Sequence, residues 1–214
     1  MKQPCRLCQS SEVQCNIISA DRRQHCLCER CSLIFTLEQH LPTADEERER
    51  YLSHNNSLQN TGYVDFLNLA IQPALSWLQQ GMQGLDYGCG PEPVLVSILK
   101  QAGISCAYFD PYFFPDLVTD YQYDFIFSTE CFEHFFNPGK ELQVIDALLK
   151  NEGYLIIMTE LWTDINRFST WYYARDISHV AFYNRHTMDY IAERFNYNLI
   201  HSDDKRVFIF QKNT

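Results

Sequence analysis

Leu85-Asp86-Tyr87-Gly88-Cys89-Gly90-Pro91 is the stretch on which the fold turns. A short apolar run enters two glycines and is followed by an amphipathic segment at 93–102, the pattern of a strand passing through a tight turn into a helix. Glycines there let the backbone bend sharply and approach a ligand, and the start of the helix presents free N–H groups. A Gly-x-Gly pair alone has little specificity. Here a second apolar run, 105–109, ends in Asp110, 20 residues after Gly90, where a carboxylate can accept both hydroxyls of a ribose. Together they predict an adenosine-containing ligand at the strand ends, against the plainer alternative of a strand–helix turn with an incidental Asp.

Outward from this loop, short apolar runs alternate with amphipathic stretches. Runs at 84–87, 105–109, 123–128 and 154–159 read as strands, and 139–150 and 185–195 join 93–102 as helices. Two final runs, 196–201 and 206–211, flank the polar turn Ser202-Asp203-Asp204-Lys205 and predict an antiparallel hairpin closing a mostly parallel sheet. The fold class expected is α/β, a Rossmann-like doubly wound sheet. Upstream, 63–80 carries apolar residues at helical spacing, and 41–53 is a charged connector whose run Asp45-Glu46-Glu47-Arg48-Glu49-Arg50 reads as a solvated helix face.

Pro91 and Pro93 remove N–H groups that would cradle a pyrophosphate, and Pro93 stands where a dinucleotide fingerprint needs a small residue. A donor with no phosphate and a cationic sulfur fits better, because acidic Asp86 and Glu130 near the strand ends favour positive charge.

The N-terminal segment has a different character. Six of the nine cysteines precede residue 32, and Cys5-x-x-Cys8 and Cys28-x-x-Cys31 lie 19 residues apart, the spacing of a four-thiolate zinc site. Four thiolates close the coordination sphere, so this zinc is expected to be structural; Cys26 and His25 are alternative ligands, and buried metal-free thiols the bland reading. In a reducing compartment the cysteines are expected to stay free of disulfides.

The whole chain, 214 residues and 46% hydrophobic, suffices for one α/β core and a small module. The expected division is 1–40 zinc-binding module, 41–80 linker and lid helices, and 81–214 donor-binding domain. With 17 basic against 27 acidic residues and a net charge of -10, the chain would repel a phosphate backbone, which disfavours a nucleic-acid partner. No run reaches the roughly 18 apolar residues of a membrane span, and Met1-Lys2-Gln3-Pro4-Cys5 lacks a signal-peptide core, so a cytoplasmic protein is expected.

From about Tyr63 onward the chain resembles the class I S-adenosylmethionine-dependent methyltransferases. The marks are Leu85-Asp86-Tyr87-Gly88-Cys89-Gly90, Asp110-Pro111 after the second strand, Glu130-Cys131-Phe132-Glu133-His134-Phe135-x-x-Pro138 after the fourth, Gly153-Tyr154-Leu155-Ile156-Ile157-Met158-Thr159, and His179-Val180-Ala181-Phe182-Tyr183-x-x-x-Thr187. The resemblance implies S-adenosylmethionine as cofactor. It places Asp86, Gly88, Cys89 and Gly90 at the methionine part of the donor, Asp110 and neighbouring Pro111 at the ribose, and Glu130 near the sulfur. Two departures stand out. Glu92 replaces a third glycine, and so few residues separate Asp110 from the fourth strand that the third strand must shrink to a remnant such as 116–120.

Methyl transfer is an in-line displacement dominated by positioning, and a base is needed only for an acceptor that must lose a proton. Candidates are His134 and an Asp176/His179 orienter–base pair, each with a structural alternative as hydrogen-bonder or loop clamp. Trp171, Tyr172, Tyr173 and Tyr183 read as core first and acceptor cage second. Tyr51-x-x-His54-Asn55-Asn56, leading to Gly62-Tyr63, reads as a surface loop first, with His54 and Tyr63 as donor contacts second. The expected activity is methylation of a small molecule or biosynthetic intermediate. The alternatives are an RNA- or protein-modifying methyltransferase whose knuckle, with Lys2, Arg6, Arg22 and Arg23, grips the macromolecule, or a non-catalytic adaptor with a relic donor pocket.

Overall fold

The computed structural model describes residues 3–53 and 56–214. Its centre is a six-stranded sheet built from β4 (Gln83–Tyr87), β5 (Ser105–Phe109), β6 (Tyr123–Thr129), β7 (Leu149–Met158), β9 (Tyr197–Ser202) and β10 (Val207–Lys212), in the order β5-β4-β6-β7-β10-β9. β5, β4, β6 and β7 run parallel, whereas β10 pairs antiparallel with both β7 and β9. The fold class and the terminal hairpin are as the sequence predicted. Between β5 and β6 the chain forms neither strand nor helix at 116–120, so the expected remnant of a further strand is an extended loop and β5 is the sheet edge.

Side-chain alternation along the central strands builds two cores. Ile126, Leu155, Ile157, Phe208 and Phe210 point to one face, and Phe125, Phe127, Ile156, Met158, Val207 and Ile209 to the other. The second face is covered by α2 (Thr61–Ala74) and α3 (Val94–Gln101), the first by α4 (Pro138–Leu148) and α5 (Arg185–Phe195). Each fully buried Phe contributes about 1.5–3 kcal/mol of transfer free energy. Gly84 is required by this packing, since a Cβ there would lie 1.9 Å from the Phe125 ring on the adjacent strand.

The N-terminal residues form β1 (Val13–Ile18), β2 (Gln24–Cys28) and β3 (Ile34–Thr36), an antiparallel sheet completed by β8 (Ala181–Phe182) from the far end of the chain. Its buried cysteines share one apolar cluster with Leu85, Ile126 and Phe208 of the large sheet. Arg23 joins the two halves. Its guanidinium donates to the carbonyls of Ile177, His179, Ala174 and Asp176 at 3.0, 3.0, 2.9 and 2.7 Å. Arg6 is equally buried and lies 5.7 Å from the Phe35 ring centroid. These two guanidiniums are therefore spent inside the fold, which removes half of the basic surface imagined for a macromolecule-gripping knuckle.

Two expectations require correction. Cys15 and Cys26 are joined by a disulfide, because a bulge between Gln14 and Ile17 sets Cys15 opposite Cys26 across the β1–β2 ladder. The charged connector is α1 (Ala44–Leu52), capped by Thr43 and Glu46, yet it is not wholly solvated: Glu47 is buried. Its carboxylate accepts from the Tyr51 and Tyr112 hydroxyls, each at 2.5 Å. Among the described residues no helix is long and apolar enough to cross a membrane.

Candidate functional site

The strand ends of β4, β5 and β6 converge on the glycine loop. Gly88 and Gly90 have φ of 88° and 69°, the left-handed region that glycine enters without cost. The Gly88 and Cys89 N–H groups donate to the Phe109 carbonyl at 2.8 and 3.1 Å, which ties the loop to the neighbouring strand. A Cβ at Gly88 would lie 2.2 Å from Cys131 Sγ, whereas one at Gly90 would meet nothing within 4 Å. The loop is therefore packed on one side and open on the other.

Asp110 locks the corner. Its Oδ2 accepts the Gly90 N–H at 3.0 Å, and its Oδ1 accepts from the N–H groups of Tyr112 and Phe113 at 2.9 and 3.2 Å. Oδ2 keeps a lone pair for a further donor. Pro111 follows directly, and the Asp110–Phe114 bridge turns the chain back at the sheet edge.

Two carboxylates behind the loop are under tension. Asp86 is buried, Oδ1 has no hydrogen-bond partner, and burial together with the Asp110 charge pushes its carboxyl up to about 7. Glu130, at φ 49°, is the first residue past β6; its Oε1 is also buried without a partner, and burial followed by the Glu133 charge raises its carboxyl. Tyr63, on α2, feels both, its hydroxyl pushed up by burial and then by Asp86 and Glu130. Two unpartnered buried carboxylate oxygens beside an open glycine turn suit a nucleoside-linked cation. His54 lies outside the described residues.

Past Glu130, the histidines find backbone partners. His134 Nδ1 donates to the Ser178 carbonyl at 3.0 Å and His179 Nδ1 to the Tyr173 carbonyl at 2.7 Å, so the free nitrogen of each ring is Nε2. The rings meet edge to face at 4.9 Å. Burial, then His134, pulls His179 down to about 3, leaving it a neutral imidazole. Asp176 does not bond His179 through its side chain. Its carboxylate takes Arg50 Nε and Nη2 at 2.8 and 2.6 Å and the Ser178 hydroxyl at 2.7 Å.

The aromatic residues divide by burial. Tyr173 and Tyr183 are core, with Tyr183 donating to the Phe132 carbonyl at 3.0 Å, while Tyr172 is 60% exposed. Trp171 and Tyr172 line a cavity of about 450 Å³ with Glu160, Trp162 and Phe168. Glu160 accepts from Trp171 Nε1 at 3.3 Å, from the Tyr172 hydroxyl, and from Arg206 at 2.6 Å. Glu47, Glu133, Glu160 and Arg206 were not singled out from sequence. Glu133 alone carried a signal, its place inside the Glu130-x-x-Glu133-His134 motif.

The knuckle cysteines also converge. Cys5, Cys8, Cys28 and Cys31 bring their sulfurs within 4.8 Å of one another, with Cys5–Cys31 at 3.5 Å and Cys8–Cys28 at 3.4 Å. Hydrogen bonds from Cys31 and Cys5 pull the Cys28 thiol down to about 2, while the hydrogen bond to Cys28, with burial, pushes Cys5 up to about 12. Such a crowded thiol set suits a divalent cation, which would ionise all four. The alternative ligands are committed elsewhere: Cys26 to its disulfide, and His25 to Ser19 and Thr36 at 2.9 and 3.1 Å.

A methyltransferase-domain family model matches residues 59–202, more than half of the chain, and the chain belongs to that family. Solved structures share its fold. The 1,6-didemethyltoxoflavin-N1-methyltransferase of Burkholderia thailandensis, crystallised with 1,6-didemethyltoxoflavin and S-adenosylhomocysteine, is 15% identical with a TM-score of 0.57 over 85% of this chain and 96% of that one. A SAM-dependent methyltransferase from Archaeoglobus fulgidus is 14% identical, with a TM-score of 0.52 over 69% and 94%. Phospholethanolamine N-methyltransferase 2 of Haemonchus contortus, in complex with phosphomonomethylethanolamine and S-adenosylhomocysteine, is 13% identical, with a TM-score of 0.50 over 79% and 57%. No curated protein matches the sequence. Family and fold together support a class I S-adenosylmethionine-dependent methyltransferase.

Proposed function

We propose that this protein transfers the methyl group of S-adenosylmethionine to a small-molecule acceptor. The observation that carries the reading is the Asp110 carboxylate seated on the Gly90 N–H, beside a turn that is open where a ligand would lie. In this reading Asp110, with Pro111 shaping the turn, takes the ribose. Gly88, Cys89 and Gly90 pass along the methionine portion, and Asp86, Glu130 and Tyr63 surround its cationic groups, with His54 on the adjoining segment. The bound donor supplies an electrophilic methyl on a sulfonium, and the chain's own task is to align the acceptor and exclude water.

The acceptor's place in this reading is the cavity walled by Trp171 and Tyr172, which opens beside Glu160. His134 Nε2, at the more exposed edge of the histidine pair, is the group able to take a proton from an acceptor that reaches past the cavity wall. His179, held neutral, packs against its ring, and Asp176 acts at one remove by clamping the His179 loop to Arg50. Residues 1–40 serve as a zinc-held module in which Cys5, Cys8, Cys28 and Cys31 bind a structural Zn ion, 41–80 as the covering segment, and 81–214 as the donor domain.

Calorimetry with S-adenosylhomocysteine tests the donor site. Binding in the micromolar range that Asp110→Ala weakens about tenfold or more supports the reading, since a charged hydrogen bond is worth about 1.5–3 kcal/mol. Absence of heat in folded wild-type protein sinks it.

A further inference from the structure

Glu133, His134 and His179 place a carboxylate oxygen and two imidazole nitrogens within 4.8 Å of one another. We propose that these three side chains hold a divalent transition-metal ion, at a site separate from the cysteine knuckle. The class of ion follows from the donor set: two imidazoles and one carboxylate suit borderline cations of the zinc and iron(II) type and leave coordination positions open.

The geometry is that of oriented ligands. Glu133 is fully buried, and its Oε2 is held by the Thr159 hydroxyl at 2.8 Å. Its Oε1 is left buried with no hydrogen-bond partner. His134 Nε2 stands 4.0 Å from it, too far for a hydrogen bond. Both imidazoles are turned by the same device, Nδ1–H given to a backbone carbonyl, which fixes the tautomer with Nε2 bare. Metal-bound histidines are held in this way by partners behind the ligand. Ligands on a common ion at about 2.0–2.2 Å lie about 3–3.5 Å apart, so the cluster must contract by about 1–2 Å, within the reach of side-chain torsions. His134, with its side chain 16% exposed, is the edge through which an ion enters.

The site adjoins the donor crevice. The Tyr173 hydroxyl lies 3.3 Å from Thr159 Oγ1, which holds Glu133, and 3.5 Å from Glu130 Oε2. With an ion bound, the Nε2 lone pairs of His134 and His179 are committed to it, and the proton-accepting part given above to a free imidazole would pass to water or an acceptor oxygen at an open coordination position, whose deprotonation the ion would ease. That consequence rests on the methyl-transfer reading; the binding of the metal does not.

Cobalt(II) added to the full-length protein, purified with its knuckle metal in place, is the test. The expected result is one equivalent of cobalt with visible d–d absorption and no thiolate charge-transfer band, weakened about tenfold or more by His179→Gln and by Glu133→Gln. Should Glu133→Gln fail to fold, His179→Gln decides, its fold checked by thermal unfolding. No absorption at millimolar cobalt overturns the proposal, as does a thiolate band insensitive to His179→Gln, which would put the ion among the cysteines. S-adenosylhomocysteine calorimetry on the same samples separates the two ideas: cobalt binding without donor binding removes methyl transfer and leaves the metal site standing.

Discussion

Arg50 and Asp176, 126 residues apart, meet in a double hydrogen bond to one carboxylate oxygen, with Arg50 Nε at 2.8 Å and Nη2 at 2.6 Å from Asp176 Oδ2. This pair fastens α1 over the loop that carries His179, so a helix that looks like a surface connector helps hold the wall of the candidate site. Burial works to raise the Asp176 carboxyl, but the hydrogen bonds from Arg50 and Ser178 outweigh it and hold it below the usual carboxylate range.

Because the folded pKa of Asp176 is depressed, its contribution to stability is present above the unfolded value of about 3.9 and is lost as pH falls through the folded value. Arg50→Ala is expected to destabilise the protein by about 1–2 kcal/mol at neutral pH, discounted for the half-exposed guanidinium. Urea unfolding of both proteins at pH 7 and in strong acid measures this. An equal deficit at the two pH values would contradict the linkage.

Asp86 has the opposite sign. Its folded pKa of about 7 lies above the unfolded value, so the folded state binds more protons and stability falls as pH rises from about 4 to about 7. The slope approaches about 1.4 kcal/mol per pH unit for one group. Asp86→Asn should flatten it. A bound sulfonium should favour the carboxylate, so donor binding near pH 7 is expected to release protons, read by calorimetry in buffers of different ionisation enthalpy.

The two loop glycines should behave differently. Gly88→Ala meets Cys131 Sγ at 2.2 Å as well as an unfavourable φ, whereas Gly90→Ala meets only the φ. The strain of a left-handed Ala is about 1–2 kcal/mol, and Gly88→Ala should cost more than that in thermal stability. Gly90→Ala should instead be felt chiefly in donor affinity, because its methyl projects into the open side of the turn. If Gly88→Ala proves the milder of the two in thermal melts, the described packing of the loop is wrong.

Arg23 offers a test of how the two sheets are joined. Arg23→Ala leaves four carbonyls without their shared donor and Asp21 without its ion-pair partner at 2.6 Å, and is expected to cost about 3–5 kcal/mol, with Arg23→Lys recovering only part of it, since an ammonium cannot match the guanidinium fork. Chemical denaturation of the three proteins provides the comparison.

On the proposed zinc reading, elemental analysis finds zinc in the wild-type protein and Cys8→Ser/Cys28→Ser abolishes its retention. The knuckle shares its core with the large sheet, so the melting temperature of the whole protein is expected to drop by at least about 5 °C. Unchanged melting with zinc lost would mean that the module folds without its metal.

Local chemistry alone determined much of this molecule. Strand periodicity at 123–128, the Leu85-to-Gly90 turn with Asp110 one strand later, and the paired Cys-x-x-Cys spacing are all short-range signals, set by backbone geometry over a few residues. They sufficed for the sheet, the glycine loop and the gathering of Cys5, Cys8, Cys28 and Cys31. Tertiary structure decided the rest, because the deciding partners lie far along the chain. Arg23 pairs its Nε with nearby Asp21 but gives its Nη donors to carbonyls more than 150 residues away, Glu47 turns inward to meet Tyr112, and the bulge in β1 pairs Cys15 with Cys26. Glu133 and His134 are neighbours in sequence, but His179 joins them only because β8 pairs with β3 of the N-terminal sheet while the Val180 N–H donates to the Glu133 carbonyl at 2.8 Å. No periodicity encodes such a meeting; it arises from packing two sheets against one core.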